Sequence, residues 1–202
     1  MSLDHLVLWR HGETDHNTAN RMQGQLDESQ LTEVGEAQIR RAAPVLAALG
    51  PDALVTSDLS RASITAAILA EHTALQPAVD KRLRETNLGA WQGLTRDEVE
   101  AGWPGGLAQW RDSPWWPPPG GEARLDVAAR ASQVVTELDS SGHRSAVLCT
   151  HGGLISGLTP HLLDLPHTAW PLFRGISNCH WTVLCRRRGG WRLAAYNTAA
   201  PV

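Results

Sequence analysis

The sequence predicts an α/β fold in three layers: a mostly parallel sheet with helices on both faces, finished by an antiparallel edge strand. Two patterns carry that expectation. Four short apolar runs, His5–Trp9, Ala53–Thr56, Pro77–Asp80 and Ser145–Thr150, are each followed by a polar or glycine-containing turn and then a helical periodicity, the alternation typical of parallel sheets. Past residue 178 the period changes to two. Cys179, Trp181, Val183 and Cys185 share one face, Arg186-Arg187-Arg188-Gly189-Gly190 reads as a solvated turn, and Trp191-Arg192-Leu193 returns as a hairpin partner. A chain of 202 residues suits one domain with a sizeable core, and residues 1–202 are expected to form one.

The helices follow in order. Thr32 is a suitable N-cap, Glu33 and Glu36 favour the first turn after it, and Ile39, Ala42, Leu46 and Leu49 form the expected buried stripe. Pro44 removes a hydrogen bond inside that stretch, so a kink or early break is expected there. A second helix spans roughly residues 61–72 with Ile64, Ala67 and Ile68 inward. A third runs from about Glu122 to Leu138 with Val127, Ala131, Val134 and Leu138 on one stripe. A fourth follows His151-Gly152-Gly153 and should bend at Pro160. Residues 102–121 stand apart as a Trp/Pro/Gly-rich loop or lid. No regular element suits Trp115-Trp116-Pro117-Pro118-Pro119-Gly120-Gly121, and the tryptophans there are expected to plug one end of the sheet or to form an aromatic lid.

Composition removes several function classes. The formal net charge is −3 and the basic residues are dispersed, which excludes a nucleic-acid surface. No apolar stretch approaches the ~20 residues that span a bilayer, and a first strand beginning at residue 5 leaves no targeting segment, so a cytoplasmic protein without membrane contact is expected. Cys149, Cys179 and Cys185 are odd in number and lack paired spacing, which argues against disulfides and a structural zinc; they read as small core residues. No acidic cluster has metal-ligand spacing, and neither metal nor cofactor is expected. Lys81 is the only lysine, so Schiff-base and P-loop chemistry have no candidate.

The strand ends carry residue types suited to phosphoryl chemistry, although the first of them would in isolation read as a solvated loop pair. Arg10-His11-Gly12-Glu13-Thr14 places a fixed cation and an imidazole at the carboxyl end of the first strand, where open α/β sheets bind ligands, and Gly12 leaves room for close approach of substrate to backbone. Three more sites fall at such strand ends. Arg61 stands at a helix start that disfavours a cation unless an anion is also there; its bland alternative is a surface side chain paired with Asp58. Glu85 lies in the loop after the third strand. His151 begins the strand-to-helix turn Thr150-His151-Gly152-Gly153, while adjacent Cys149 should point the other way, into the core. In a parallel sheet these ends share one edge, which would bring together cations to hold a phosphoryl group, an imidazole to accept it and a carboxyl to protonate the leaving oxygen.

Arg10-His11-Gly12-Glu13-Thr14, Ser57-Asp58-Leu59-Ser60-Arg61-Ala62, Glu85 and Thr150-His151-Gly152-Gly153, in this order, resemble the signatures of the histidine phosphatase superfamily, over nearly the whole chain. The resemblance implies the phosphoglycerate mutase-like fold, with His11 as the nucleophile that becomes phosphohistidine and Glu85 as the proton donor. Arg10, Arg61 and His151 would complete the phosphate pocket and Asn17 would contact the phosphoryl group or substrate. The stretch Leu88-Gly89-Ala90-Trp91-Gln92-Gly93 after Glu85 looks like the phosphatase branch; a phosphoglycerate mutase, a broad-specificity phosphatase and a non-catalytic phosphate-binding protein are the alternatives. Arg21-Met22-Gln23-Gly24, Arg82-Leu83-Arg84-Glu85-Thr86, Asp126-Val127-Ala128-Ala129-Arg130 and His151-Gly152-Gly153-Leu154-Ile155 resemble the branch that hydrolyses glucosyl-3-phosphoglycerate to glucosylglycerate and phosphate. That resemblance implies a small-molecule phosphate ester as partner, Gln23, Gly24 and Gly152 as substrate contacts, and a homodimer.

Overall fold

The computed structural model describes residues 2–201. Six strands, β1 (His5–Arg10), β2 (Ala53–Thr56), β3 (Ala78–Val79), β4 (Ser145–Thr150), β5 (Trp181–Arg187) and β6 (Gly190–Thr198), form one sheet in the order β3-β2-β4-β1-β5-β6. The pairs β1–β4, β4–β2 and β2–β3 are parallel, and the hairpin β5–β6 joins antiparallel through β1–β5. The antiparallel edge is thus two strands wide. The third strand is shorter than its apolar run, and both of its residues are exposed, as fits an edge that must not invite further pairing.

Alternation along each central strand divides the core in two. Leu6 and Leu8 of β1, with Ala146 and Leu148 of β4, pack on one face against α6 (Arg124–Ser140) and α7 (Gly152–Leu162). Val7 and Trp9, with Val147 and Cys149, pack on the other against α2 (Glu33–Ala47) and α3 (Ser60–Ala70). The result is the three-layer arrangement expected. Cys149 and Cys179 are buried; Cys185 is only half-buried, because it lies on β5 beside the exposed His5.

The helix stripes were legible to different degrees. Val127, Ala131, Val134 and Leu138 of α6 are all buried, and Thr32 caps α2 by accepting from the Gly35 N–H at 3.0 Å. Leu49 is 50 % exposed, since α2 stops at Ala47 and the residue lies past its end. Pro44 does not break that helix. It sits on the exposed side of the last turn, and Arg40, whose carbonyl loses its donor, is also at the surface, where water can replace the lost bond. Pro160 likewise lies inside a helix that continues to Leu162. In α3 the phase differs from expectation: Ile68 is buried, but Ile64 and Ala67 are exposed, while Arg61, Ala62, Thr65, Ala66 and Leu69 face inward. The inward position of one arginine sets that phase, at the cost of an exposed isoleucine.

Two short helices, α4 (Arg96–Gly102) and α5 (Gly106–Asp112), follow a 3-10 turn at Gly89–Trp91, so regular structure extends into the segment expected to be loop; residues 103–105 and 113–121 lack it. A further four-residue helix, α1 (Asp15–Thr18), follows β1 and carries Asn17. The tryptophans do not plug the sheet. Trp91 is fully buried and is ringed by Trp103, Trp110 and Trp116 at centroid distances of 6.3, 6.2 and 5.7 Å, a separate small core with Met22, Leu88, Val99 and Leu107. Trp115 is 55 % exposed and stacks edge-on against His167. Replacing Trp91 with Ala is expected to lower unfolding free energy by about 3–5 kcal/mol in a urea titration, against about 1 kcal/mol or less for Trp115→Ala.

Candidate active site

The register of β1 on β4 aligns Arg10 with Thr150, so the residues that follow, His11 and His151, leave the sheet side by side. The His11 N–H donates to the Thr150 carbonyl at 3.0 Å, and the Cys179 N–H donates to the His11 carbonyl at 3.0 Å. The backbone of His11 is therefore held from both neighbouring strands. The two imidazoles lie 5.2 Å apart between centroids, both essentially buried.

The Gly12 carbonyl stands 2.7 Å from His11 Nδ1 and can only accept, so Nδ1 carries the proton and Nε2 keeps its lone pair. Asn178 Nδ2 donates to the same carbonyl at 3.2 Å and to Asn17 Oδ1 at 2.9 Å. Burial pushes His11 well below the ordinary histidine pKa, and the charges of Arg61 and Arg10 push it in the same direction. His151 is lowered for the same reasons, burial first and then Arg61, with smaller effects from His11, Arg10 and Arg130. Neither ring nitrogen of His151 has a hydrogen-bond partner among the described residues.

Arg61 reaches the site from the first turn of α3 and is 1 % exposed, with Nη1 donating to the Leu26 carbonyl and Nη2 to the Gly24 carbonyl, each at 2.8 Å. The bland alternative fails, because Asp58 pairs with Arg84 at 2.6 Å instead. Burial lowers the Arg61 pKa to about 10, with Glu85 and Asp27 opposing, which still leaves the guanidinium charged at neutral pH. Arg10 donates from Nη1 to the Ile176 carbonyl at 2.6 Å, and its pKa is lowered by burial against the attraction of Glu85. The Nε atoms of both arginines are buried without a partner among the described residues.

Glu85 is fastened to the start of α7. Its Oε2 accepts from the Gly153 N–H at 2.9 Å, and its Oε1 accepts from the Leu154 and Thr86 N–H groups at 3.1 and 2.7 Å. The N–H groups exposed by the His151-Gly152-Gly153 turn thus go largely to this carboxylate. Gly153 is required for the approach, since a Cβ there would lie 2.4 Å from Glu85 Oε1; Gly152 lies beside Arg10, with 3.4 Å between such a Cβ and Nε. Gly12 has a different reason from the one expected: a Cβ would meet the Gly35 carbonyl at 2.7 Å and the Ile39 side chain at 2.8 Å, so the close approach it permits is that of α2.

Arg10, His11, Arg61 and Glu85 open into a cleft of about 520 Å³ that Asn17, Gln23, Gly24 and Gly152 also line, while His151 is fully buried and does not line it. Gln23 is 8 % exposed and braces the wall, donating to Thr14 Oγ1 at 2.8 Å and accepting from Ser29 Oγ at 2.9 Å. Sequence reasoning missed the other arginines of the cleft. Arg21, Arg96, Arg111 and Arg174 are exposed along it and Arg124 is buried in its wall, against only two lining carboxylates among the described residues, Glu85 and Asp112. A chain of net charge −3 therefore concentrates positive charge at one mouth. Arg124 carried the signal that singled out Arg61, an arginine at a helix start, whereas Asn178 carried none.

Residues 6–199 match the family described as histidine phosphatase superfamily (branch 1). The chain belongs to the histidine phosphatase superfamily. Among curated relatives, this histidine phosphatase is 45 % identical to a glucosyl-3-phosphoglycerate phosphatase of Mycobacterium tuberculosis over 98 % of the chain and 96 % of the relative. It is 34 % identical to a probable phosphoglycerate mutase of Cronobacter sakazakii, over 92 % and 86 %. A solved mycobacterial glucosyl-3-phosphoglycerate phosphatase in complex with VO3 superposes with a TM-score of 0.94 at 47 % identity, covering 97 % of this chain and 100 % of that one. No helix among the described residues is long and apolar enough to cross a membrane.

Imidazoles held neutral in the fold make stability depend on pH. Below about pH 6.5 the unfolded chain takes up protons that the folded chain does not, so unfolding free energy falls with falling pH by up to ~1.4 kcal/mol per unit for each imidazole. The urea midpoint is expected to be lower at about pH 5.5 than at about pH 7.5, with a smaller difference in His151→Asn, since that variant loses the His151 contribution and keeps that of His11.

Proposed function

We propose that this histidine phosphatase hydrolyses glucosyl-3-phosphoglycerate to glucosylglycerate and phosphate through a phosphohistidine on His11. The observation that carries the chemistry is the buried group of unpaired nitrogen atoms, most of them donors, around one unprotonated nitrogen of His11. Arg10 and Arg61 Nε and both His151 ring nitrogens have no partner among the described residues, and His11 presents Nε2 beside them. Buried donors without acceptors are costly, and a phosphoryl group supplies several acceptor oxygens.

In the proposed sequence the His11 Nε2 lone pair forms a bond to phosphorus while the ester P–O bond breaks, and the Glu85 carboxyl gives its proton to the leaving oxygen. Glu85 then takes a proton from water, whose oxygen attacks phosphorus and breaks the N–P bond. Arg10 and Arg61 bear the charge that spreads over the equatorial oxygens, and His151 adds an N–H donor even when neutral. Asn17, Gln23, Gly24 and Gly152 are assigned to substrate contact, Gln23 and Gly24 in part by shaping the wall.

The choice of substrate is supported by the relatives named for it, which align over nearly the whole chain, and by the cleft. A volume of about 520 Å³ suits a sugar-sized ester, and the surplus of arginine suits one bearing a carboxylate besides its phosphate. The resemblance also implies a homodimer, and the lack of a bilayer-length apolar stretch suggests a cytoplasmic location; both are part of this proposal, and light scattering on the purified protein reads the first.

A panel of phosphate esters ranked by kcat/KM tests the substrate, with glucosyl-3-phosphoglycerate expected first and a flat ranking counting against it. The same assay with 3-phosphoglycerate, scored for 2-phosphoglycerate against free phosphate, separates hydrolysis from mutase activity. His11→Ala is expected to abolish both phosphate release and acid-labile phosphoenzyme. Glu85→Gln should still form phosphoenzyme from esters with good leaving groups, while losing about 10²–10⁴-fold in turnover of an alkyl ester.

A further inference from the structure

Arg124 is the first residue of α6 and its side chain lies in the cleft wall with 9 % exposure. Its stem is clamped by α7, where a Cβ on Gly157 would come within 2.9 Å of its Cγ. Nη2 donates to the Trp110 and Arg111 carbonyls at 3.3 and 3.1 Å, which ties down the end of α5. Nη1 has no partner among the described residues, and no carboxylate there lies within ion-pair distance of the guanidinium. Trp110, the next wall residue, also buries an indole Nε1–H without a partner among the described residues. Burial pulls the Arg124 pKa down, opposed by Tyr196 and Asp112.

A rigid cation at the positive end of a helix, desolvated and short of a counter-charge, is stabilised by an anion. We propose that Arg124 Nη1 and Trp110 Nε1 form the subsite for the carboxylate of the substrate, distinct from the phosphate pocket of Arg10, Arg61 and His151. One guanidinium edge and a neutral indole suit a monoanion better than a second phosphate dianion. The two backbone carbonyls engage Nη2 alone, so bracing α5 does not account for Nη1. This inference rests on the proposed substrate only in requiring a carboxylate beside the phosphate ester, which leaves the glucosyl group open.

The test uses the full chain and two matched ester pairs: glucosyl-3-phosphoglycerate against its counterpart with a hydroxymethyl group in place of the carboxylate, and 3-phosphoglycerate against glycerol 3-phosphate. In the unaltered protein the carboxylate member of each pair is expected to have the higher kcat/KM. Arg124→Gln should reduce that preference about tenfold or more, chiefly through KM, Arg124→Lys should restore part of it, and Trp110→Phe should reduce it several-fold while keeping the ring. If Arg124→Gln fails to fold, Trp110→Phe decides alone. A preference unchanged in the variants, or absent from the unaltered protein, overturns the subsite. Preference for carboxylate in both pairs without faster hydrolysis of the glucosyl ester upholds the subsite and overturns the glucosyl assignment instead.

Discussion

Every feature of the site depends on the parallel pairing of two central strands in one register. With Arg10 opposite Thr150, the strands end together, and the chain on either side leaves the sheet with an imidazole at the same height. Because side chains alternate along a strand, a slip of one residue would put the imidazoles that follow β1 and β4 out of step and carry Leu6 and Leu8 out of the core they share with Ala146 and Leu148. Hydrophobic burial thus sets the position of the polar groups. The antiparallel neighbour adds a second hold, through the Cys179 N–H on the His11 carbonyl.

That placement is made against local electrostatics. Two guanidinium groups and two imidazoles are gathered where water is scarce, and the imidazoles respond by staying neutral. The cores on both faces of the sheet supply the stability that such a cluster subtracts. Backbone carbonyls soften the cost: Leu26 and Gly24 accept from Arg61, and Ile176 accepts from Arg10. These are partial charges, enough to orient a cation without neutralising it, which leaves the field available to an arriving anion.

The parts of the fold governed by short-range pattern could be read from the sequence. Strand ends were clear because apolar runs stop at the residues that carry chemistry, and the α6 stripe was clear because nothing competes for its inward face. The phase of α3 was not, since propensity would bury Ile64 while the site demands Arg61 and Thr65 on that side. Nor was the tryptophan cluster around Trp91, whose members come together only once α4 and α5 have packed. Asn178 lay beyond reach, because its bonds to Gly12 and Asn17 span more than 160 residues. Arg124 was within reach, by the same rule of helix polarity that pointed to Arg61.

Glu85 belongs to no helix or strand, yet both of its oxygens are held by N–H groups at the start of α7, and its own carbonyl accepts from Arg130 of α6 at 2.9 Å. A loop residue so fastened does not wander as loops do. It travels with the helix that His151 caps, so thermal motion tilts the carboxylate and the imidazole together as one body and preserves the spacing between them.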